Sequence, residues 1–222
     1  FAKIPGSPVA YWIGQDVFRV FSEKSVRDYA EPRHGMSTGN NDVCLKLWFE
    51  INRRKICFDA SSLEEFDSSN CKFAPYKKGG SFRLWYVIAY DKKSRQIMES
   101  LPGYRSSSTG FFFKPSINWS DVSTSAFGMR VSPRGFAFDG RGASMFCNND
   151  VMMYIAALLA SKFTTYILNI LNPTLTFNIE NVAAIPVIID KNKKKQIEFT
   201  AADNIRLSKT DWDSFETSWD FT

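Results

Sequence analysis

The sequence predicts an α+β fold in which a mixed β-sheet carries flanking helices and one long buried helix at about residues 150–171. Short segments with alternating apolar and polar residues recur between turns rich in Gly, Pro and Ser, as strands do. One apolar segment near the C-terminus is longer than a strand and suits a helix. Of the 222 residues, 44% are hydrophobic and 15% aromatic, which is ample for a packed core.

The first predicted element is a helix over residues 7–22. Ser7 and Pro8 suit its cap and its first turn, and Ile13 and Val17 follow at helical spacing. We expect this helix to pack on the core.

The predicted strands begin after a polar loop at residues 28–42. Apolar residues alternate with more polar ones over residues 43–51, which indicates a strand. Further strands, separated by Gly, Pro and Ser turns, are predicted at residues 82–90, 110–114, 127–131, 136–139 and 143–147.

The longest apolar segment, residues 151–171, is predicted to be a buried helix that ends at Asn172-Pro173. Lys162 interrupts it, and its uninterrupted apolar part is about half of the ~20 residues that a membrane span needs. We therefore expect no membrane association.

The chain is predicted to divide near residue 190. A strand at residues 183–189 ends the first part, and a basic hinge at residues 191–195 precedes a helix at 196–207 and an acidic tail. This organisation gives a domain over residues 1–190 and a spacer helix with a Trp-containing tail over residues 191–222.

The net charge of +5 is unevenly distributed. The last 25 residues hold six acidic and two basic residues, whereas residues 1–197 hold 26 basic and 17 acidic residues. A domain with this excess of positive charge attracts polyanions at low salt. The pattern favours nucleic acid as a partner, although a basic surface can also serve solubility alone.

Two stretches imitate the motifs of methyl-transferring enzymes but lack required features. Asp139-Gly140-Arg141-Gly142 would have to open a helix to cradle S-adenosylmethionine, yet a strand is predicted directly after it. Asn172-Pro173-Thr174-Leu175 has no aromatic side chain in its fourth position to stack on a flipped adenine. We expect this chain to be non-catalytic and to bind no cofactor.

Metal and hydrolytic sites are not indicated either. The four cysteines form no Cys-x-x-Cys pair and are interpreted as free thiols. Glu64, Glu65 and Asp67 lie close together in a serine-rich loop without the Glu-x-Lys triplet of a nuclease, and we interpret them as solvated. The only histidine, His34, follows a proline in a glycine loop and is interpreted as exposed.

The middle of the chain has a pattern typical of nucleic-acid binding. Residues 72–95 hold seven basic residues and one acidic residue, interleaved with six aromatic ones. Glycines after Lys77 and Lys78 allow the backbone to approach phosphate, and Arg83 can contact a phosphate or a guanine edge. Trp85 and Tyr86 are better interpreted as core residues.

A second basic set lies on or beside the loops between the later strands, where a rigid sheet would hold base-reading side chains in register. Asn40 suits either a tight turn or a polar contact with DNA. The predicted DNA-binding residues are Lys77, Lys78, Arg83, Asn40, Arg105, Lys114, Arg130, Arg134 and Arg141.

Six segments carry a family resemblance and occur in order along nearly the whole chain. They are Ile4-Pro5-Gly6-Ser7-Pro8-Val9-Ala10-Tyr11-Trp12, Thr38-Gly39-Asn40-Asn41-Asp42, Pro75-Tyr76-Lys77-Lys78-Gly79-Gly80-Ser81-Phe82-Arg83, Ile117-Asn118-Trp119-Ser120, Leu171-Asn172-Pro173-Thr174-Leu175 and the tail at residues 208–221 with Trp212 and Trp219. The chain resembles the PglX-type adenine-specific DNA methyltransferases of BREX phage-defence and restriction-modification systems. It departs from that pattern at Lys77, where the family has Asn, and at Trp85-Tyr86-Val87-Ile88, where the family has Trp-Tyr-Gly-Asn.

The resemblance implies a target recognition domain, similar in fold to the specificity domains of restriction-modification enzymes and downstream of a methyltransferase domain. Its parent would transfer a methyl group from S-adenosylmethionine to adenine in double-stranded DNA. We expect a cytoplasmic, monomeric fragment that contacts DNA and the methyltransferase domain of the same parent. An alternative is a protein-interaction module of a phage-defence complex that docks on its partner through Trp212 and Trp219.

Overall fold

The computed structural model describes residues 4–6, 8, 13–79, 85–124 and 126–221, and these residues form the predicted α+β fold. Its α-helices are α1 (Gln15–Val20), α2 (Asn41–Cys44), α3 (Leu63–Ser68), α4 (Lys92–Glu99), α5 (Asn149–Leu159), α6 (Lys162–Leu171), α7 (Ile179–Ala183) and α8 (Lys194–Asp213). Its strands are β1 (Ala30–Arg33), β2 (Ser37–Thr38), β3 (Leu45–Leu47), β4 (Phe73–Lys77), β5 (Tyr86–Ala89), β6 (Tyr104–Arg105), β7 (Ser116–Trp119), β8 (Met129–Ser132), β9 (Ala137–Phe138) and β10 (Ser144–Cys147).

The strands form two sheets and a ribbon. The first sheet has the order β1-β10-β7-β8 and is antiparallel throughout. The second sheet has the order β3-β5-β4-β9, in which β9 joins β4 in parallel and the other pairs are antiparallel. The ribbon pairs β2 with β6. Because the chain passes from β9 to β10 through a short turn at residues 139–143, the two sheets meet at that turn.

One core lies between the first sheet and helices α5, α6 and α7. Ile117 and Met145 are register partners on β7 and β10, and they share this core with Ile155 and Ile167 of the helices. All four side chains are fully buried. Burial of each contributes roughly 1.5–3 kcal/mol, so this apolar face anchors the first sheet.

A second core is rich in aromatic side chains and packs against the second sheet. Phe66 of α3 stacks on Phe113 with 5.5 Å between ring centroids, and Phe112 meets Phe138 of β9 at 5.1 Å. The strand predicted at residues 110–114 is wrong. That segment is a 3-10 turn followed by the two phenylalanines, because Phe113 enters the core from a left-handed backbone with φ 69°.

The single helix predicted at about residues 150–171 is instead two helices, α5 and α6, which meet at 75°. The hydroxyls of Ser161 and Thr164 both donate to the carbonyl of Leu158, at 2.6 and 2.7 Å. Ser161 also caps α6 by accepting the Thr164 amide at 3.3 Å. These side chains compete with the helical ladder and break the helix. Within the described ranges no single helix is long and apolar enough to cross a membrane, and α5 and α6 reach that length only when taken together.

Two other predicted elements are shorter than the sequence pattern indicated. Of the helix predicted at residues 7–22, the structure describes α1, which begins after Gly14; residues 7 and 9–12 lie outside the described residues. Of the strand predicted at residues 43–51, only β3 is a strand, because a 3-10 turn at Trp48–Glu50 follows it directly.

The segment at residues 183–189 is not the predicted strand. It makes an isolated bridge between Pro186 and Ser25, and Pro186 has no N–H with which to extend a ladder. The strands predicted at residues 127–131, 136–139 and 143–147 are confirmed as β8, β9 and β10. The strand predicted at residues 82–90 is confirmed as β5 where it is described, since residues 82–84 lie outside that part of the chain.

The C-terminal segment packs on the rest of the protein. The predicted helix at residues 196–207 is confirmed and extended as α8, which packs against α5. Beyond it, Trp219 lies against Trp85 with 4.1 Å between ring centroids, and Trp48 Nε1 donates to the carbonyl of Thr217 at 2.8 Å. Arg53 pairs with Asp220 at 3.6 Å. The predicted domain boundary at residue 190 stays a prediction.

Candidate functional site

An open cleft of about 370 Å³ lies where the ribbon, the end of β4 and the β9–β10 turn meet, and a smaller cleft of about 250 Å³ adjoins it. The larger cleft is lined by Ser37, Thr38, Gly39, Asn41, Lys78, Gly79, Gly103, Asp139 and Arg141. The smaller one is lined by Gly79, Ser120, Asp121, Val122 and Arg141. Three of the six segments singled out in the sequence therefore contribute described residues to the two clefts: 38–42 to the larger, 75–79 to both and 117–120 to the smaller.

Glycines allow the backbone that follows β4 to pack closely against the backbone of the β9–β10 turn. A Cβ atom on Gly79 would lie 2.3 Å from the carbonyl oxygen of Arg141, and one on Gly142 would lie 2.9 Å from the carbonyl oxygen of Lys77. The Asp139 amide donates to that same Lys77 carbonyl at 2.9 Å. Any other residue at position 79 would push the turns apart, so the close approach requires glycine.

Lys78 and Arg141 supply the positive charge of the cleft. The Arg141 amide donates to Asp139 Oδ1 at 3.2 Å, and its carbonyl accepts the Asp121 amide at 3.1 Å. These bonds fix the backbone of Arg141, while the residue as a whole is exposed. In the part of the chain that the structure describes, neither Lys78 nor Arg141 forms an ion pair. Both cations are therefore available to an anion.

Lys77 is placed differently from its neighbour Lys78. Its ammonium donates to Ser116 Oγ at 2.7 Å and lies 4.8 Å from the centroid of the Phe136 ring. Burial lowers the pKa of this ammonium well below its ordinary value. The sequence groups the two lysines as one DNA-facing pair, whereas the structure brings only Lys78 into the cleft.

The hydroxyl that receives this ammonium belongs to a buried polar network on the first sheet. Asn118 Nδ2 donates to Ser116 Oγ at 3.0 Å and to Ser144 Oγ at 3.3 Å, and Ser132 Oγ donates to Asn118 Oδ1 at 2.7 Å. All four side chains are buried. Ser120, which lines the smaller cleft, follows the end of β7 and is two residues after Asn118. The network therefore lies close along the chain to one edge of the smaller cleft.

The two asparagines at the start of α2 have different structural roles. Asn40 Oδ1 accepts the amides of Asp42 and Val43, at 3.0 and 3.3 Å, and so caps α2. Asn41 lines the cleft, and its Oδ1 accepts a hydrogen bond from Thr38 Oγ1 at 2.9 Å. Asn40 is therefore a helix cap outside the lining of the cleft, and its contact with DNA stays a prediction. The residue that the sequence reasoning missed is Asn41, one position further along the same loop.

Of two further predicted arginines, one is paired with a cleft residue and the other with a residue of the buried polar network. Arg105 is exposed on β6 and is the register partner of Ser37, which lines the larger cleft. Arg130 lies on the edge strand β8 as the register partner of Asn118. It is exposed as a residue, although crowding around its guanidinium lowers the pKa of that group by desolvation.

The remaining predicted residues are not brought into the cleft. Lys114 lies 5.0 Å from the centroid of the Phe111 ring, and Arg134 faces Asp59 at 3.9 Å on the exposed surface. Arg83 lies outside the described residues. The DNA-binding role of these three side chains stays a prediction.

The acidic residues and the histidine singled out in the sequence have partners of their own. Asp67 accepts two hydrogen bonds from Arg95, at 2.8 and 2.9 Å, and these bonds lower the pKa of the carboxyl group. His34 Nδ1 lies 3.0 Å from the carbonyl oxygen of Gly140 and so contacts the turn that carries Arg141. The four cysteines are free thiols. Among the described residues no group of three His, Cys, Asp or Glu side chains is arranged to hold a metal ion.

The two stretches that imitate methyltransferase motifs have other structural roles. The turn at residues 139–142 leads into β10 rather than into a helix, as predicted. In the second stretch, Asn172 donates to Thr176 of its own loop at 3.2 Å, and Leu175 is exposed. Trp85 and Tyr86, interpreted as core residues, are both half-buried, and Trp85 packs 5.8 Å from Phe136.

Comparison with known proteins relates the whole chain to two curated enzymes. It is 35% identical over 236 aligned residues to the adenine-specific methyltransferase PglX of Lacticaseibacillus casei (strain Zhang). It is 33% identical over 230 aligned residues to the adenine-specific methyltransferase BrxX of Escherichia coli O9:H4 (strain HS). Both alignments cover 100% of this chain but only 19% and 18% of the relatives, so the chain spans about a fifth of their length. No family model matches it.

Proposed function

We propose that the chain is the target recognition part of an adenine-specific DNA methyltransferase, and that its cleft holds the sugar-phosphate backbone of double-stranded DNA. One observation carries the proposal. The glycine turns place Lys78 and Arg141, two cations without ion pairs among the described residues, at a single opening. The similarity of the whole chain to two adenine-specific methyltransferases supports the reaction class. S-adenosylmethionine and the methyl transfer would belong to parts of the parent outside this chain.

The two cations are suited to different contacts with DNA. Lysine acts as a point charge on a phosphate, whereas the planar guanidinium of arginine binds two phosphate oxygens at once. Because Gly79 has no side chain, the backbone beside Lys78 can approach the same anion. The excess of basic residues over positions 1–197 would steer DNA toward this surface. A cleft of about 370 Å³ holds a short stretch of one strand, so the duplex would lie across it.

Base reading would come from the polar side chains at the two ends of the cleft. Asn41 lies at the ribbon end and Asp121 in the smaller cleft. Asparagine pairs with the N6 and N7 edge of adenine, and aspartate accepts from the N4 amine of cytosine. Phosphate contacts position a protein on DNA and base contacts specify the sequence, so the cleft combines both functions.

The salt dependence of DNA binding tests the proposal. The chain should bind duplex DNA weakly and with little sequence preference, with a Kd in the nonspecific range of ~10⁻⁴ to 10⁻⁶ M at physiological salt. Lys78→Ala and Arg141→Ala should each flatten the slope of log K against log salt by about 0.9. Arg19→Ala is the matched control, because Arg19 is exposed on α1, faces Asp16 at 3.4 Å and lies away from the lining of the cleft.

The proposal fails if the double variant at positions 78 and 141 keeps its melting temperature and binds DNA with the slope of the unmodified chain. It also fails if the unmodified chain shows no binding at low salt. Calorimetry with S-adenosylmethionine should give no heat of binding to this chain, and a micromolar Kd would relocate the cofactor site into it. In the full-length parent, Asn41→Ala should change which adenines are methylated.

The alternative function is a module that docks on a partner through the tryptophan tail. Its two proposed anchors, Trp212 and Trp219, pack within the chain itself. Trp219 packs on Trp85, and Trp212 lies 5.6 Å from the same ring. Both tail tryptophans are half-buried within the chain. No surface feature that we describe favours this alternative over DNA binding.

A further inference from the structure

Lys77 occupies a position that is costly for a lysine. An ammonium has three donors, and this one, on a half-buried side chain, has a hydroxyl of Ser116 and the face of Phe136 as its neighbours. Taking a charge out of water costs free energy that one neutral acceptor does not fully return. A methionine of similar length would fill the same space without that cost. The fold alone therefore gives no reason for a lysine here.

The same residue joins the segments that form the cleft. Its ammonium reaches Ser116 on β7, and its carbonyl accepts the amide of Asp139 in the β9–β10 turn at 2.9 Å. Two residues after Lys77 in the chain is Gly79, two after Asp139 is Arg141, and both line the cleft. Further along β7 the chain reaches Ser120 in the smaller cleft. Lys77 is thus linked to three segments that line the two clefts: the end of β4, the β9–β10 turn and the segment that follows β7.

We propose that Lys77 is a positioning residue that sets the separation of the cleft walls, so that Lys78 and Arg141 meet the same stretch of DNA backbone. This inference rests on the proposed function of the cleft. Lys77 acts through Ser116 and the network behind it, in which Asn118 donates to the Ser116 hydroxyl and also to Ser144. Lys77 itself does not contact DNA in this proposal, because its ammonium already donates to Ser116 within the protein.

A positioning role and a phosphate contact have different signatures in salt. A lysine that neutralises a phosphate releases a counterion and contributes about 0.9 to the slope of log K against log salt. A lysine that only positions other residues weakens binding when removed but leaves the slope unchanged. A residue needed only for folding would instead lower the melting temperature when removed.

Three variants separate these roles. Lys77→Met removes the ammonium and keeps the length of the side chain, and Ser116→Ala keeps the ammonium and removes its acceptor. Lys72→Met is the matched control, because Lys72 is exposed one residue before the same strand begins. Melting temperature, DNA affinity over a range of salt, and hydrogen exchange of the Asp139 and Asp121 amides are measured for each. The two amides donate to Lys77 and Arg141 and report the cleft walls without DNA.

We expect Lys77→Met to melt at the same temperature as the unmodified chain or higher, and to bind DNA about tenfold more weakly with an unchanged salt slope. Ser116→Ala should weaken DNA binding in the same way and also lower the melting temperature, because it leaves a buried ammonium without its acceptor. Both variants should exchange the two amides about tenfold faster. Lys72→Met should leave the amide exchange unchanged.

A salt slope that falls by about 0.9 in Lys77→Met would make Lys77 a phosphate contact and overturn the inference. A lower melting temperature in Lys77→Met, or unchanged amide exchange in both variants, would reduce it to an ordinary packing residue. If the unmodified chain does not bind DNA, the proposed function fails. The exchange of the two amides then still decides whether Lys77 holds the walls together.

Discussion

The tryptophan tail at residues 208–221 and the glycine-lined cleft are the two regions that the sequence marks most strongly, and the fold treats them in opposite ways. In the tail, Trp219 packs on Trp85 at 4.1 Å, and its large apolar rings are drawn toward the protein. In the cleft, Gly79 leaves bare backbone close to the exposed Arg141. Burying a large apolar surface lowers the free energy, whereas charged residues stay accessible to water. The tryptophan tail is thus a packing element, and the glycine turns form the candidate site.

The two regions are nevertheless in contact through one side chain. The Phe136 ring lies 5.8 Å from the Trp219 ring, and the Lys77 ammonium lies 4.8 Å from the centroid of the same Phe136 ring. Gly135 fixes the approach of this ring, since a Cβ atom there would lie 2.0 Å from the carbonyl oxygen of Phe58. Phe136 therefore links the tail to Lys77, and substitutions in the tail should act mainly on stability, whereas substitutions in the cleft should also change DNA binding.

The largest effect on stability is expected from Trp219→Ala. It removes a half-buried indole that packs against three aromatic rings, so the free energy of unfolding should fall by about 2–3 kcal/mol. Phe221→Ala is the control, because Phe221 is exposed and should change stability by less than about 0.5 kcal/mol. Urea unfolding measures both variants. Equal stabilities for the two would mean that the tail does not pack on the protein in solution.

The next largest effect is expected from Gly79→Ala, and it should appear in both stability and binding. The new Cβ atom would meet the carbonyl oxygen of Arg141 at 2.3 Å, so the turns must separate at a cost of about 1–3 kcal/mol. DNA affinity should fall as well, because Lys78 and Arg141 move apart.

Gly110→Ala provides the comparison for this variant, since a Cβ atom on Gly110 has no neighbour within 4 Å. We expect its stability and DNA affinity to match those of the unmodified chain. If Gly79→Ala behaved in the same way, the turns would not be in contact, and the cleft would need another explanation.

The sequence predicted the α+β class and the later strands, because alternation between short turns is a local signal. It did not predict the break between α5 and α6, since Ser161 and Thr164 compete for a backbone carbonyl in a segment whose composition is otherwise apolar. It indicated Lys78 as a candidate contact from charge and neighbouring glycines, and Arg141 from its place among the loops between the later strands. It could not separate Lys78 from Lys77, because the acceptor that turns Lys77 inward, Ser116, is 39 residues away along the chain.

A smaller effect is expected from the two asparagines at the start of α2. As with the tail and the cleft, one substitution should change stability and the other should change DNA binding. Asn40→Ala removes the cap of α2 and should lower the free energy of unfolding by about 1 kcal/mol, with DNA binding nearly unchanged. Asn41→Ala should leave stability within about 0.5 kcal/mol and weaken or redirect DNA binding. Chemical denaturation and DNA titration of both variants check this. A loss of DNA binding confined to Asn40→Ala would reverse the assignment.

The smallest effect is expected from pH, and it concerns Lys77. Burial lowers the pKa of its ammonium in the folded protein, whereas in the unfolded chain the pKa lies near its ordinary value of about 10.4. Between the two values the unfolded chain binds more protons than the folded protein, so the contribution of Lys77 to stability rises as pH increases. The usable window ends near pH 9.5, because burial also raises the pKa of Tyr76 and Tyr90 in the folded protein. Unfolded tyrosines ionise at about pH 10 and reverse the trend.

The measured quantity is the difference in free energy of unfolding between the unmodified chain and Lys77→Met, followed from pH 7 to pH 9.5. Taking the difference cancels the opposing effect of Cys44 and Cys147, since burial raises the pKa of both thiols in either protein. The unmodified chain should gain stability relative to Lys77→Met as pH rises. If the difference stayed constant, the Lys77 ammonium would be in contact with water, and Lys77 would rejoin Lys78 as a candidate contact for DNA.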